Sequence, residues 1–408
     1  MTRLNTLAAR DPSTATVIAQ LEARLAAEDL NSKMVFAFYG CGHDESALHE
    51  WLGRQFPVAS LLGGSSSGGL MTDEGFVDEH GVGLLLIDDE DGDYGVAAGL
   101  FGDDATLTAE NLLRDALANC GCTGQLPELI WVYQAPGHEE EVLEGLRRVV
   151  GDNCPIIGGS SADNDVSGKW TQLGPEGCMK DGLAVGVLFP STPLGYAFQG
   201  GYEPAGPNGI VTGIGFTPAG ASGVVTASVG REIISIDNEP AAHVYNRWVE
   251  NRIDAQLEGG GSILAETTMS PLATDAGHVD GVSHYLLIHP ESVSANGTLN
   301  TFCNLQVGDR VYAMKGDTER LVDRAGRVGG QARKALEQDG YLAAGGLIVY
   351  CGGCKLAVDK NIAKVAGAVA EGLGNVPFIG CFTFGEQGRL IDRNLHGNLM
   401  ISAVVFSQ

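Results

Sequence analysis

Gly63-Gly64-Ser65-Ser66-Ser67-Gly68-Gly69 closes a strand–helix–strand passage, and its return later in the chain decides how the fold is read. Upstream of it, the buried-type strand Met34–Tyr39 runs into Gly40-Cys41-Gly42-His43. An amphipathic helix follows over Asp44–Arg54, and Pro57 leads into the apolar strand that ends in the quoted turn. A second copy runs from strand Leu129–Tyr133 through Pro136-Gly137-His138 and a helix over Glu139–Val150 to Gly158-Gly159-Ser160-Ser161. A third runs from Leu347–Tyr350 through Cys351-Gly352-Gly353-Cys354 and a helix over Lys360–Gly372 to Gly380-Cys381-Phe382-Thr383-Phe384-Gly385-Glu386. Self-similarity on this scale marks one supersecondary unit used repeatedly.

A further module accompanies these units: strands Gly83–Ile87 and Tyr94–Leu100, then a helix over Thr106–Ala118. Leu183–Phe189 with Tyr196–Gly201 reads as one divergent copy of it. Tyr285–Ile288 with Arg310–Met314 and the helix Thr318–Leu336 reads as another, and Val311–Asp317 echoes Val96–Asp103. Leu399–Phe406 supplies a last strand. Such short, almost continuously apolar strands suit sheets covered on both faces. The expected class is therefore α/β, with mixed sheets of repeated strand–helix–strand units covered by helices. Residues 1–30 read as a polar tail and an Ala-rich helix, 31–230 as a first domain and 231–408 as a second. Gly259-Gly260-Gly261 reads as a hinge.

At 408 residues the chain exceeds one ordinary core, and 44% hydrophobic against 19% charged residues is a globular composition. A formal charge of −26 argues against nucleic acid and anionic membrane surfaces as partners. No segment approaches the ~18–20 apolar residues of a membrane span, and the N-terminus has no signal-peptide core. Nine scattered cysteines fit reduced thiols, so a cytoplasmic location is expected.

Successive backbone N–H groups with hydroxyls beside them cradle a carboxylate, phosphate or carbonyl. Ser65, Ser66, Ser160, Ser161 and Thr383 are the ligand-binding candidates on that ground, with Cys381 in the same third-copy turn. Glu386, placed against Gly69 and Asp163 of the other copies, is a candidate for orienting a ligand amine or for acid–base work. None of the turns has a P-loop ending. The turns after each first strand hold Cys41 and His43, then His138, then Cys351 and Cys354. These are candidate metal donors, and Cys351 and Cys354 are also candidate nucleophiles. Of the isolated imidazoles, His284 and His289 flank a strand and are candidate haem ligands.

These residues together resemble the FIST family (F-box and intracellular signal transduction proteins) across residues 30 to 390. The resemblance rests on the turns at Gly63–Gly68 and Gly158–Ser161, the junction Gly230–Ala241, Cys351-Gly352-Gly353, and Phe382-Thr383-Phe384-Gly385-Glu386. Two departures stand out. Gly69-Leu70 replaces a Gly-Glu pair, and Cys354 replaces the Arg of a Cys-x-Gly-Arg pattern, weakening recognition by an Arg fork. The resemblance implies a sensor of a small polar or amino-acid-like ligand that signals to a partner such as a histidine kinase or cyclase, a homodimer being an allowed assembly. One branch of the family implies the alternative of a haem-based nitric oxide sensor regulating a histidine kinase. A third reading is a hydrolase or lyase using Cys351, Cys354 or Glu386 in an inter-domain cleft.

Overall fold

The structure is a computed structural model describing residues 2–28, 31–214, 216–219, 224–227, 230–279 and 281–408, with side chains described outside 212–229. The fold is mixed α/β and forms two compact units. The first comprises Met1–Gln199, Val322–His396 and Ile401–Gln408, and the second Gly200–Leu321 with Gly397–Met400.

The first unit is one topology used three times. Copy one runs through strand Arg3–Arg10, helix Thr14–Leu25, strand Met34–Gly40, helix Glu45–Gln55 and strand Ser60–Ser66. A hairpin (Gly69–Thr72 and Gly75–Asp78) and strand Gly81–Asp88 complete it. Copy two repeats the order from Asp93–Leu100 through Ala105–Asn119, Leu129–Gln134, Glu139–Val150, Ile156–Ser160 and the hairpin Gln172–Gly174 and Gly177–Met179 to Gly182–Phe189. Copy three begins with Leu194–Gly200 and resumes more than a hundred residues later at helix Thr318–Gln338. It continues through Ala343–Cys351, Gly352–Val358, Ile362–Leu373, Phe378–Thr383 and the hairpin Glu386–Leu390 and Arg393–Gly397 to Met400–Ser407. The second unit is thus inserted between the first strand and first helix of copy three.

This order corrects two expectations. The supposed polar tail holds the strand Arg3–Arg10, which pairs antiparallel with Gly81–Asp88 and buries Leu4, Leu7 and Ala9. Leu4 joins the core shared by the three sheets, while Leu7 and Ala9 join a core with Val17 and Leu21 of the following helix, so the strand is covered on both faces. The echo between Val311–Asp317 and Val96–Asp103 is not structural equivalence, because Arg310–Lys315 pairs within the second unit. The counterpart of Asp93–Leu100 in copy three is Leu194–Gly200.

Each copy builds a six-stranded sheet, but its hairpin goes to another copy's sheet. The copy-two hairpin joins sheet one beside Ser60–Ser66, the copy-three hairpin joins sheet two beside Ile156–Ser160, and the copy-one hairpin joins sheet three beside Phe378–Thr383. The exchange is cyclic, so each copy depends on both others. One apolar core collects residues from all three sheets, including Phe36, Phe38, Trp131, Tyr133, Val349 and Phe406. Phe36 meets Trp131 edge-on at 5.4 Å, and Phe38 tilts onto Tyr133 at 5.3 Å. Such offset contacts contribute about 0.5–1.5 kcal/mol each beyond their buried area. Helices cover the outer faces, and Asp44 and Asp104 cap two of them by accepting from the amides of Ala47 and Leu107.

The second unit has its own core, drawing Ile233, Ile236, Tyr245, Leu272, Ile288 and Val311 together against a large sheet. Asp237 and Asn238, both at positive φ, turn strand Glu232–Ile236 back onto Glu239–Pro240, and helix Ala241–Trp248 follows. Gly259–Gly261 lies inside this unit, between helix Asp254–Gly259 and strand Gly261–Ser262. It therefore occupies no boundary between the units and is not their hinge. Among the described residues no helix is long and apolar enough to cross a membrane.

Candidate functional site

The three Gly/Ser turns meet in the first unit, and the backbone ties them into a closed ring. Ser65 N–H donates to Thr171 O at 2.9 Å, linking turn one to copy two. Ser160 N–H donates to Gly385 O at 2.8 Å and Phe384 N–H to Ser160 O at 3.0 Å, linking turn two to copy three. Ser67 N–H donates to Phe382 O at 3.1 Å and closes the circuit. Tyr133 adds a hydroxyl bond to Ser65 O at 2.6 Å. Glycine lets the strands come this close. A Cβ at Gly63 would lie 1.8 Å from Ala37 O, and one at Gly158 would lie 1.9 Å from Val132 O.

The pairing registers align Gly63 with Gly158 and Gly380, Ser65 with Ser160 and Phe382, and Ser66 with Ser161 and Thr383. They place Glu386 opposite Gly159, Gln172 opposite Gly64 and Leu70 opposite Cys381. The counterparts of Glu386 are therefore Leu70 and Gln172. Gly69 and Asp163 do not hold that place, because copy two carries a longer loop there. Asp163 folds that loop by accepting from the amides of Asp165, Val166 and Lys169.

The hydroxyls are committed to the ring. Thr383 donates to Glu386 Oε1 at 2.8 Å, and Gln172 Nε2 donates to Ser161 at 2.6 Å. In copy one the matching side chain is Leu70, and Ser66 turns to Gly69 O instead. Ser65 accepts from Thr171 N–H, and Ser160 donates to Glu139 Oε1 at 2.7 Å. Ser65, Ser66, Ser160, Ser161, Thr383, Glu386 and Cys381 are all fully buried. Burial pushes the Cys381 thiol far above its ordinary range.

Beside the ring, Tyr39, Gln134 and Tyr350 occupy one equivalent position, opposite Ser65, Ser160 and Phe382. Tyr39 shares a hydrogen bond with Thr171 Oγ1 at 3.0 Å. The residues corresponding to Thr171 in the other hairpins are Gly385 and Gly69, which have no side chain to offer. Both amide atoms of Gln134 and the hydroxyl of Tyr350 are buried without a hydrogen-bond partner among the described residues. His396 lies at the same corner as Gln134, with Nδ1 3.1 Å from Glu140. A Cβ at Gly385 would meet His396 Nε2, Ser160 Oγ and Glu139 Oε1 within 2.7–3.2 Å.

The turns after the first strands are unlike one another. Cys41 is half-buried, and burial raises its thiol despite a bond from the Asn164 backbone. His43 is buried with Nδ1 on Thr14 at 3.2 Å, and burial lowers its pKa. His138 pairs with Glu141 and stacks on Phe101 at 4.8 Å. Cys351 and Cys354 are buried at the start of helix Gly352–Val358. These five donors form no three-ligand metal group among the described residues.

Sequence reasoning missed Lys355, although copy alignment sets it against Asp44 and Glu139 as the odd charge at a helix start. Its Nζ lies 5.4 Å above the Phe382 ring and against Gly68, where a Cβ would come within 2.2 Å. Gly68 N–H donates to Asn164 Oδ1 at 2.6 Å. Burial lowers the pKa of Lys355, opposed by the more distant carboxylates of Glu79 and Asp359.

Of the imidazoles read as haem ligands, His289 does not fit. It is buried with Nε2 3.2 Å from Thr267 Oγ1 and its ring against Phe302, and burial lowers its pKa to about 4. His284 is half-exposed opposite Gly277 in the hairpin Leu272–Val279 and Val282–Ile288.

Comparison with known proteins gives two family matches: the FIST N domain over residues 33–214 and the FIST C domain over residues 241–389. No curated protein matches the chain. Among solved structures, cyanuric acid hydrolase from A. caulinodans is similar at a TM-score of 0.37 and 10% identity, covering 100% of this chain and 99% of that one. A second cyanuric acid hydrolase, described as an evolutionary innovation by structural concatenation, is similar at a TM-score of 0.37 and 8% identity, with 100% of both chains covered. Likeness at that level carries no inference about activity.

Proposed function

We propose, from the premise that this chain belongs to the FIST family and carries its N and C domains in that order, that it is a small-ligand sensor which passes its signal to a separate partner protein. FIST domains imply small-ligand sensing in signal transduction. The reading extends this to a small polar, amino-acid-like ligand, a cytoplasmic setting, and a partner such as a histidine kinase or cyclase. The observation that carries it is the pairing of both family domains in one chain. It is supported by a corner of the first unit where residues of all three copies meet: Ser67 and Gly68 from copy one, Asn164 from copy two and Lys355 from copy three. The Gly/Ser turns contribute here as scaffold. Their hydroxyls are spent within the ring, whereas Ser67 and Lys355 at its rim are partly exposed.

The fit of His289 speaks against its use as a haem ligand, and Cys351, Cys354 and Glu386 lie buried away from solvent. Neither the haem reading nor the hydrolase reading gains an observation of its own. Native mass spectrometry and an absorption spectrum of the freshly purified full chain test the proposal. A co-purifying small mass that is lost on denaturation and shifts the melting temperature when added back is expected. A Soret band would replace this reading with the haem sensor. A bare chain whose melting no metabolite in a broad panel changes would overturn it.

A further inference from the structure

We propose that the corner beside Phe382 is a binding site for a small monocarboxylate, with Lys355 Nζ as its charged anchor. This rests on the small-ligand reading and names the ligand class and the site. Among the described residues no hydrogen bond or ion pair holds Nζ, and its closest aromatic neighbour is the Phe382 ring. An ammonium group leaves water at a cost unless it is paired. A half-buried one without a counter-charge is therefore poised for a ligand that brings it. The surroundings keep the ammonium in place: Gly68 lies against Nζ at a left-handed φ of 61°, and Asn164 fixes Gly68 by accepting from its amide. Asn164 is in turn held by donating to Glu79 at 2.9 Å.

Charge selects the class. One cation faces the site, while Glu79 and Asp359 act on it from beyond ion-pair distance and the chain carries a formal −26. A multiply charged phosphate would meet more repulsion than attraction here, whereas a single carboxylate matches the single ammonium. Phe382, itself fully buried, backs the ammonium, and Phe76 and Tyr350 pack on that ring at 6.1 and 6.0 Å.

The test is residue-resolved protection of the full chain. Lysines are reductively methylated with formaldehyde while acetate is titrated at constant ionic strength, and peptides are read by mass. Exposed Lys360 and Lys364 of the same copy serve as internal controls. Acetate at twice its dissociation constant should slow methylation of Lys355 about threefold and leave both controls unchanged. Equal protection of all three lysines, or none, overturns the site. Stronger protection by inorganic phosphate than by acetate overturns the carboxylate class. In parallel, acetate should raise the melting temperature of the wild type and of Lys355→Arg but not of Lys355→Met. An equal rise in Lys355→Met would reject the anchor. If a co-purified ligand persists while Lys355 goes unprotected, the sensory reading stands and this site alone falls.

Discussion

At one strand position Tyr39 of copy one shares a hydrogen bond with Thr171 at 3.0 Å, while Tyr350 of copy three, equally buried, has no hydrogen-bond partner among the described residues. The backbone frame is the same, since Tyr39 stands opposite Ser65 and Tyr350 opposite Phe382 in matching parallel pairs. What differs is the hairpin that another copy delivers: Thr171 arrives beside Tyr39, and Gly69 arrives beside Tyr350. A single side chain on an exchanged hairpin therefore seals one corner of the ring and leaves another unsatisfied. The first corner spends its polar groups on folding. The second adjoins Phe382 and Lys355, whose charge the protein leaves unpaired.

The largest expected effect separates the copies by backbone tolerance. Gly63→Ala drives its Cβ to 1.8 Å from the Ala37 carbonyl, an atom that cannot move without breaking the parallel pair. Gly380→Ala meets the side chain of Met71 at 2.5 Å instead, and a methionine can change rotamer. Chemical denaturation should show a loss of about 3 kcal/mol or more for Gly63→Ala and about 1 kcal/mol for Gly380→Ala. Equal losses would mean that the copies share one packing, and the contrast drawn above would collapse.

Hydroxyl deletion should then give opposite signs at equivalent places. Tyr39→Phe removes a satisfied hydrogen bond and leaves Thr171 without it, at a cost of about 1 kcal/mol. Gln134→Met, in copy two, removes two buried polar atoms that lack partners and should stabilise by about 1–2 kcal/mol. Tyr350→Phe removes one such atom and should stabilise by up to about 1 kcal/mol. Urea midpoints of the three variants are the measurement. Destabilisation by Tyr350→Phe comparable with that of Tyr39→Phe would show that the third corner is sealed as well.

The strand–helix–strand copies and their Gly/Ser turns were legible because both rest on local signals: apolar runs, helix starts, and glycines before hydroxyls. Ser66, Ser161 and Thr383 were found as candidates for the same reason, and strand register makes them equivalents. Their partners were not legible, since Thr171 lies 106 residues from Ser65 and reaches it only through an exchanged hairpin. The turns consequently read as an open cradle, whereas the fold uses them as a closed ring. The insertion of the second unit into copy three was hidden too. Leu194–Gly200 and the helix Thr318–Gln338 belong together only through sheet pairing and packing, which no local pattern records. Lys355 escaped notice because lysine at a helix start is unexceptional. Its meaning comes from Phe382, on a later strand of its own copy, and from Gly68, which copy one brings to it.

The smallest effect probes the open corner through its titration. Burial lowers the Lys355 pKa from its ordinary 10.5. Between the lowered value and 10.5 the unfolded chain binds a proton that the folded chain does not, so folding stability rises with pH across that window. Below the window both states carry the proton, and the full cost of holding an unpaired ammonium in the fold persists. Lys355→Met removes this contribution, so its urea midpoint should climb less than that of the wild type as pH approaches 10.5. Partial exposure of the side chain keeps the difference small. A bound carboxylate stabilises the charged form and raises the folded-state pKa back toward its ordinary value, so acetate should flatten the rise in the wild type across the same range. That flattening has no counterpart at Tyr39, whose hydroxyl burial keeps protonated. An identical slope with and without acetate would return the two corners to the same standing.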